Sequence, residues 1–332
     1  MSEAFATNQP PPVPPTADFK DRQGGLIGFG ILVIIIGCLC ALFVPLMILG
    51  QTMSARTTGT GSGLRMMFPA IITYAALAVV FIWLGIGSTM ARRWARALLL
   101  IIAWVWLLTG VFMEFVMAVF LPKMFAHMPS GGQPMPDAVK VVAIIVALGV
   151  TAVMFIILPG LLVLFYRSPH VKATCETRDP VTRWTDACPL PVLALSLFLG
   201  YGALWMVFML VAYHAVMPFF GYLLSGLPGG ILILAIIALW AYCAWAIYHL
   251  KADGWWITLI AFGAVLVSAV LTFARIDLMD MYRLMGYPEQ QVEQMQQFTF
   301  LTGRNMLILM CMSSLPFLVF LLYVKRYFRR AA

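Results

Sequence analysis

Eight long apolar runs alternate with polar segments along the chain. Each run has about 20 residues, the length that a helix rising about 1.5 Å per residue needs to cross the hydrocarbon core of a bilayer. The pattern predicts an all-α integral membrane protein with about eight transmembrane helices. The predicted helices are Gly25–Gly50, Met67–Met90, Ala97–Leu121, Val141–Tyr166, Val192–Tyr213, Gly230–Leu250, Trp255–Phe273 and Met306–Tyr323.

The longer polar segments divide the chain into regions. Residues 1–24 carry a run of prolines in a polar setting, which predicts a disordered, extended cytoplasmic tail. Residues 167–191 form a polar linker between a first four-helix membrane half, 25–166, and a second half, 192–332. The second half includes an outer loop at residues 274–303.

Two connections in the second half have their own predicted structure. The segment His214–Gly229 is apolar enough to form a re-entrant or interfacial segment. In the outer loop, Pro288 is placed to begin a short helix, with apolar residues at three-residue spacing that could rest on the membrane or the bundle.

Landmarks in the two halves suggest an internal duplication. Leu158–Pro159 and Leu315–Pro316 each begin a similar apolar segment, and Pro69 and Pro228 precede similar helices at nearly the same separation. Four helices per half would give two repeats in parallel orientation, related by an axis along the membrane normal. Prolines are also frequent in membrane helices, so coincidence explains the landmarks equally well.

Composition and charge fix the environment and the orientation. Only 10% of the residues are charged and 63% are hydrophobic, so lipid must solvate most of the chain. With the amino terminus inside, 14 of the 21 Lys and Arg residues lie in inner segments, which predicts an inner-membrane protein with both termini cytoplasmic. The net charge of +8 is therefore anchoring charge, and nucleic acid is not an expected partner.

One acidic residue, Glu114, lies well inside a predicted helix. A charge in the hydrocarbon layer is costly and is a functional candidate for that reason. In the duplication, Arg275 falls near the matching depth of the seventh helix. We hypothesise an ion pair between Glu114 and Arg275 that ties the halves together, with the alternative that Glu114 reaches the outer interface or a water-filled mouth.

The linker contains the two cysteines that lie in a polar segment. His170, Cys175 and Cys188 could contribute to a zinc site only with a fourth ligand such as Asp179 or Asp186, and closely spaced cysteine pairs are missing. A thiol switch is a second alternative, although a cytoplasmic linker holds reduced thiols. Whether these residues bind metal stays open, and no metal or cofactor is predicted.

The linker also has a structural interpretation. Its Asp-Pro and Cys-Pro pairs are turn signals, and Trp184 is predicted to anchor the segment against the membrane. Arg178 and Arg183 are expected to meet lipid phosphates. The linker is therefore predicted to be ordered on the cytoplasmic face.

The sequence favours two functions. The scarcity of intramembrane charge argues against a proton pump, and no catalytic residue pattern is found, so the leading hypothesis is a non-enzymatic scaffold or accessory subunit that contacts lipid, other membrane subunits or a second copy. The alternative is a channel or carrier for a neutral or apolar small molecule between the halves. The channel or carrier alternative predicts a polar cavity lined by residues such as Tyr74, Thr109, Tyr201 and Tyr242.

Overall fold

The computed structural model describes residues 19–58, 63–127, 136–296 and 303–328. Within these ranges, eight helical spans are long and apolar enough to cross a membrane, which confirms the predicted all-α membrane class. The predicted tail falls largely outside the described residues. The helices are α1 Gln23–Thr58, α2 Gly63–Thr89, α3 Arg93–His127, α4 Asp137–Ala152, α5 Leu158–Arg167, α6 Pro169–Arg178, α7 Leu190–Val211, α8 Gly226–Tyr248, α9 Ala252–Phe273, α10 Leu278–Leu284, α11 Glu289–Gln296 and α12 Gly303–Phe328.

The fourth span is interrupted where the sequence predicts one continuous helix. A π-helical turn, Val153–Ile157, separates α4 from α5. Pro159 lacks an N–H group, so the carbonyl of Phe155 one turn earlier loses its usual donor, and a wider turn accommodates the ring. The Phe155 carbonyl instead lies against α3 at Gly110, where an added Cβ would stand 2.0 Å from the oxygen.

Glycines also bring α1 and α2 together. Added Cβ atoms at Gly30 and Gly85 would each lie within 3.0 Å of the other helix, so the two backbones are in direct contact. Gly87 is tight against Trp94 and Ala95 of α3. Because small residues allow close approach, helix packing in lipid concentrates at such positions.

The spans pack around two hydrophobic cores. The first joins α1, α2, α3, α5 and α6 and includes Leu26, Leu84 and Tyr166. The second joins α7, α8, α9 and α12 and includes Ile233 and Leu321. Leu190 and Leu197 of α7 pack against both cores, and Ile101 of α3 belongs to the second core, so the halves meet through α3 and α7.

One end of the bundle is shared by all the spans, and we call it the basic end. It contains the beginnings of α1, α3, α7 and α9 and the ends of α2, α5, α8 and α12. Contacts across it include Ser88 Oγ with the Leu26 carbonyl at 3.1 Å and Trp255 Nε1 with the Leu321 carbonyl at 2.8 Å. Lys325 lies over the Trp255 ring at 4.7 Å. This mixture of cations and Trp is typical of a membrane interface.

Two turns at the basic end have the same geometry. Ala91, between α2 and α3, has φ of 52°, and Leu250, between α8 and α9, has φ of 56°. In both turns the next residue donates its N–H to the carbonyl five positions earlier, Arg92 to Gly87 and Lys251 to Ala246, each at 2.9 Å. The turns lie 159 residues apart, as do Pro69 and Pro228.

At the opposite end, the predicted re-entrant segment contains a short β-hairpin. Strands β1 Met217–Phe219 and β2 Tyr222–Leu224 pair antiparallel. Ser268 and Thr272 of α9 hold its turn, since Phe220 N–H donates to Ser268 Oγ at 2.9 Å and Gly221 N–H donates to Thr272 Oγ1 at 3.0 Å. Two hydroxyl groups of α9 thus attach the hairpin to the bundle.

Helices α10 and α11 cover the same end of the second half. Helix α11 begins one residue after Pro288, at the place predicted from the sequence. Met279 and Val292 are fully buried, and the ring nitrogen Nδ1 of His214 lies 3.2 Å from the Met285 carbonyl. These contacts attach the two short helices to the connection between α7 and α8.

We predict that Gly110→Ala lowers the thermal stability of the detergent-solubilised protein. The new methyl group would collide with the Phe155 carbonyl, and overpacking of this kind costs about 1–3 kcal/mol. Gly149→Ala on α4 is the matched control because nothing lies within 4 Å of its added Cβ. Size-exclusion chromatography after heating measures both variants, and equal stabilities would show that the close α3 contact does not form.

Candidate functional site

A groove lies between the two halves, enclosed by α3, α7 and α12. Its volume is about 770 Å³. Most of its wall is apolar, and the aromatic residues include Trp104, Phe112, Phe198, Phe317 and Phe320. The rings of Phe198 and Phe317 lie 5.3 Å apart and form part of the wall between α7 and α12. The site is therefore shaped for hydrocarbon.

The groove covers about half of the membrane thickness. Its lining on α3 extends from Leu100 to Phe112, and its lining on α12 from Tyr323 back to Ser313. At about 1.5 Å per residue these stretches are about 18 and 15 Å long, against roughly 30 Å for the hydrocarbon core. Both stretches are shorter than the hydrocarbon core, so the lining residues do not extend across the whole bilayer.

The charged side chain in the lining lies at the basic end. Arg167, the last residue of α5, lines the groove there together with Leu190 and Pro191 at the start of α7. Tyr323 of α12 lines the same end, and its hydroxyl accepts a hydrogen bond from Arg326. Deeper in the groove, Ser313 is already satisfied by donating to the Met310 carbonyl at 3.0 Å.

The polar linker is attached to the start of α3 at the basic end through the buried carboxylate of Asp179. This side chain is only 2% exposed, and its oxygens lie 3.6 Å from Arg92 Nη1 and 3.5 Å from Arg183 Nε. The backbone N–H of Arg93 also donates to Asp179 at 3.3 Å. A buried carboxylate needs such partners, so Asp179 fixes the linker to the first turn of α3.

The next turn of the linker connects both halves. Asp186 Oδ2 lies 3.7 Å from Arg93 Nε on α3. In the same turn, the Trp184 carbonyl accepts a hydrogen bond from the Tyr248 hydroxyl of α8 at 2.9 Å. Residues 184–186 therefore contact α3 of the first half and α8 of the second.

The residues before α1 dock on α6. Asp21 accepts from Arg178 Nη2 at 3.1 Å, and the backbone N–H of Arg22 donates to Thr174 Oγ1 at the same distance. The backbone N–H of Gln23 and then Arg178 lower the pKa of Asp21. The Lys20 N–H lies 3.4 Å from Nδ1 of His170. The segment that enters α1 is thus attached to α6, the helix of the linker.

The linker arginines have carboxylate partners in this arrangement. Arg178 pairs with Asp21 and Arg183 with Asp179, while the Trp184 side chain is 47% exposed. Exposure of the indole is compatible with contact with the membrane surface. Contact of the two arginines with lipid phosphates stays a prediction.

The candidate zinc or thiol residues lie in different surroundings. Cys175 is buried in the first hydrophobic core and Cys188 in the second. Burial raises the pKa of each thiol to about 11, so both are protonated at neutral pH and are poor nucleophiles. Among the described residues, no group of three or more His, Cys, Asp or Glu side chains is arranged to hold a metal ion.

Glu114 and Arg275 are placed on separate elements. Glu114 is half-buried on α3, about two turns before Pro122, where the apolar part of that helix ends. Arg275 follows α9, and its Nη1 would be 3.1 Å from a Cβ added at Gly221 of the hairpin. The ion pairs found within the described ranges do not include this pair, which stays a prediction.

A charge exchange tests the predicted pair. If Glu114 and Arg275 interact, the E114R/R275E double variant restores the assembly that each single variant loses, because the attraction is re-formed with reversed signs. Yield of monodisperse protein from membranes measures assembly. A double variant no better than either single variant would exclude the interaction.

Of the four hydroxyl residues proposed to line a cavity, the groove includes Thr109 alone. Tyr201 instead lines a separate cavity of about 460 Å³ between α7 and α8. Tyr74 lies beside Phe43 of α1 and Tyr242 beside Trp245 of α8, and neither lines these two cavities. The cavity between the halves is thus apolar, in contrast to the polar one that was expected.

No protein-family model, curated protein or solved structure matches the chain. The fold itself defines a polytopic α-helical membrane protein. Its site is an apolar groove between two helical groups, with a guanidinium at one end.

We predict that Asp179→Asn destabilises the protein by about 1.5–3 kcal/mol, the range for hydrogen bonds to charged groups. The amide keeps the shape but loses the charge that Arg92 and Arg183 face. Glu176→Gln is the control, since Glu176 is exposed and pairs with Arg93 and Lys172, and such surface pairs contribute roughly 1 kcal/mol or less. Heat inactivation followed by size-exclusion chromatography compares them, and similar losses would contradict the central role of Asp179.

Proposed function

We propose that the protein binds an apolar small molecule from the membrane in the groove between its halves and acts as a carrier or presenter of that molecule. The observation that carries the proposal is the groove itself. Its volume of about 770 Å³ lies in the range of about 300–1,000 Å³ typical of small-molecule sites. Its apolar lining suits a hydrocarbon ligand, and its half-membrane depth favours a binding site over a channel.

The groove is accessible from the side. Leu108 is 54% exposed and Phe198 is 47% exposed, so these walls face the surrounding lipid. A membrane-dissolved molecule can therefore reach the groove laterally without crossing an aqueous gap. Ala194, between the larger residues of α7, contributes the small side chain that leaves room for it.

We further propose that the two halves are repeats in parallel orientation and that the basic end faces the cytoplasm of an inner membrane. The matching turns at Ala91 and Leu250 support the duplication, since both have a left-handed residue and the same hydrogen bond. The excess of Lys and Arg at this end supports the orientation. A carrier of this kind works by small movements of one half against the other.

Filling the groove tests the function. We predict that Ala194→Trp reduces labelling of α3, α7 and α12 by a photoactivatable hydrocarbon probe in vesicles, because the indole occupies the space of the ligand. Ala238→Trp is the control, since Ala238 is exposed on α8 and does not line the groove. Mass spectrometry of the labelled peptides provides the measurement.

The expected result is a loss of about tenfold in groove labelling for Ala194→Trp, equivalent to about 1.4 kcal/mol of binding, with no change for Ala238→Trp. Labelling spread evenly over all lipid-facing helices in the unaltered protein would exclude a binding groove. Thermal stability of both variants is measured in parallel, so that a folding defect is recognised.

A second candidate is the scaffold or accessory subunit, and α4 favours it. None of the side chains described on α4 is buried, and Val142, Ile145 and Val146 are each more than half exposed. Another membrane subunit or a second copy could cover this face. Purification as a monodisperse monomer in native-like lipid, with no accompanying protein, would count against this function.

A further inference from the structure

We propose that the occupant of the groove is an anionic phospholipid of the leaflet at the basic end, with its phosphate at Arg167 and an acyl chain along α3 and α12. This inference rests on the groove of the proposed function and adds the chemical class of the ligand. It depends on three features of the basic end: an uncommitted guanidinium, a helix amino terminus and a tyrosine hydroxyl.

Arg167 differs from four of the arginines around it. Arg92, Arg93, Arg178 and Arg183 each lie within 4 Å of a carboxylate. The ion pairs present in the described part of the chain include none for Arg167, whose exposed side chain lines the groove. A planar guanidinium can form two parallel hydrogen bonds with a phosphate, so Arg167 supplies the group that an anionic lipid headgroup requires.

The amino terminus of α7 points to the same place. Leu190 and Pro191, its first two residues, line the basic end of the groove with Arg167. The helix macrodipole places partial positive charge at this terminus. Pro191 has no N–H, and the N–H groups of Val192 and Leu193 donate to the Pro189 carbonyl, so the terminus acts on the anion through its dipole and not as a set of free donors.

Tyr323 completes the arrangement. Its hydroxyl accepts a hydrogen bond from Arg326, so its own proton is available for an acceptor such as a phosphate oxygen. The Arg326 guanidinium also lies over the Tyr323 ring, 3.8 Å from its centroid, which adds positive charge behind the hydroxyl. A neutral hydrocarbon would make no use of these groups.

The length of the groove matches a lipid of one leaflet. The lining on α3 is about 18 Å long and begins about 10 Å inside that helix, while Arg167, Leu190 and Pro191 line the end where a headgroup would lie. The half-exposed Leu108 and Phe198 let the molecule enter from the bilayer without leaving its leaflet. Basic pockets between transmembrane helices are a known setting for anionic headgroups.

The test uses the full chain and two lipids that differ in charge. Protein in detergent is mixed with equal amounts of phosphatidylglycerol and phosphatidylcholine, and native mass spectrometry gives the ratio of the two bound lipids. We predict that Arg167→Gln lowers this ratio by about fivefold, the effect of one cation near an anionic surface. Arg167→Lys, which keeps the charge but loses the paired donors, should have an intermediate ratio.

Lys172→Gln is the matched control, because Lys172 lies at the same end, is exposed, and does not line the groove. Its ratio should equal that of the unaltered protein. If Arg167→Gln does not fold, the intermediate ratio of Arg167→Lys and a reduced ratio in Tyr323→Phe carry the test.

The outcomes separate the two proposals. If Ala194→Trp expels both lipids while Arg167→Gln leaves the ratio unchanged, the groove binds hydrocarbon and the assignment of the anionic headgroup is overturned. If neither variant alters lipid binding, both proposals fail. A lowered ratio in Arg167→Gln and in Lys172→Gln alike would also overturn the site, because it would show a general charge effect.

Discussion

The buried carboxylate of Asp179 fixes the geometry on which the rest of the structure depends. It joins Arg92 at the turn before α3 to Arg183 in the linker, and the backbone of Arg93 also binds it. Burying this charge is unfavourable unless both partners are in place, so the linker has one stable position against α3. Seven residues after Asp179, Asp186 repeats the attachment through Arg93. The linker then begins α7 next to Arg167, which sets the basic end of the groove.

The sequence could predict the spans because the signal for each lies within a single stretch of apolar residues. The eight helices follow from length and composition, and the short helix after Pro288 follows from local turn chemistry. The groove depends on which faces of α3, α7 and α12 meet, and these helices are far apart along the chain. Their apolar residues surround each helix, so no face is marked in the sequence.

The contacts of the candidate residues were also beyond what the sequence could predict. Asp179, Arg178 and Arg183 lie in a segment recognised as polar and ordered, yet the partners of Asp179 include Arg92, 87 positions away along the chain. Likewise, Gly24, Gly28, Gly85 and Gly87 all look suited to close packing from composition alone. In the structure Gly85 and Gly87 are tight against other helices, while Gly24 and Gly28 have open space around them. Only the three-dimensional arrangement separates a packed glycine from an exposed one.

Residues 184–186 of the linker contact both of the halves between which the groove lies. These residues hold α3 through Asp186 and α8 through the Trp184 carbonyl, so they set the distance between the halves at the basic end. The groove lies between the same halves and narrows or widens with that distance. A ligand that draws Arg167 towards its phosphate would therefore act on α5 and on α6, the adjoining helix of the linker. If binding in the groove favours the spacing of the halves seen here, linkage requires that binding and order in the linker strengthen each other.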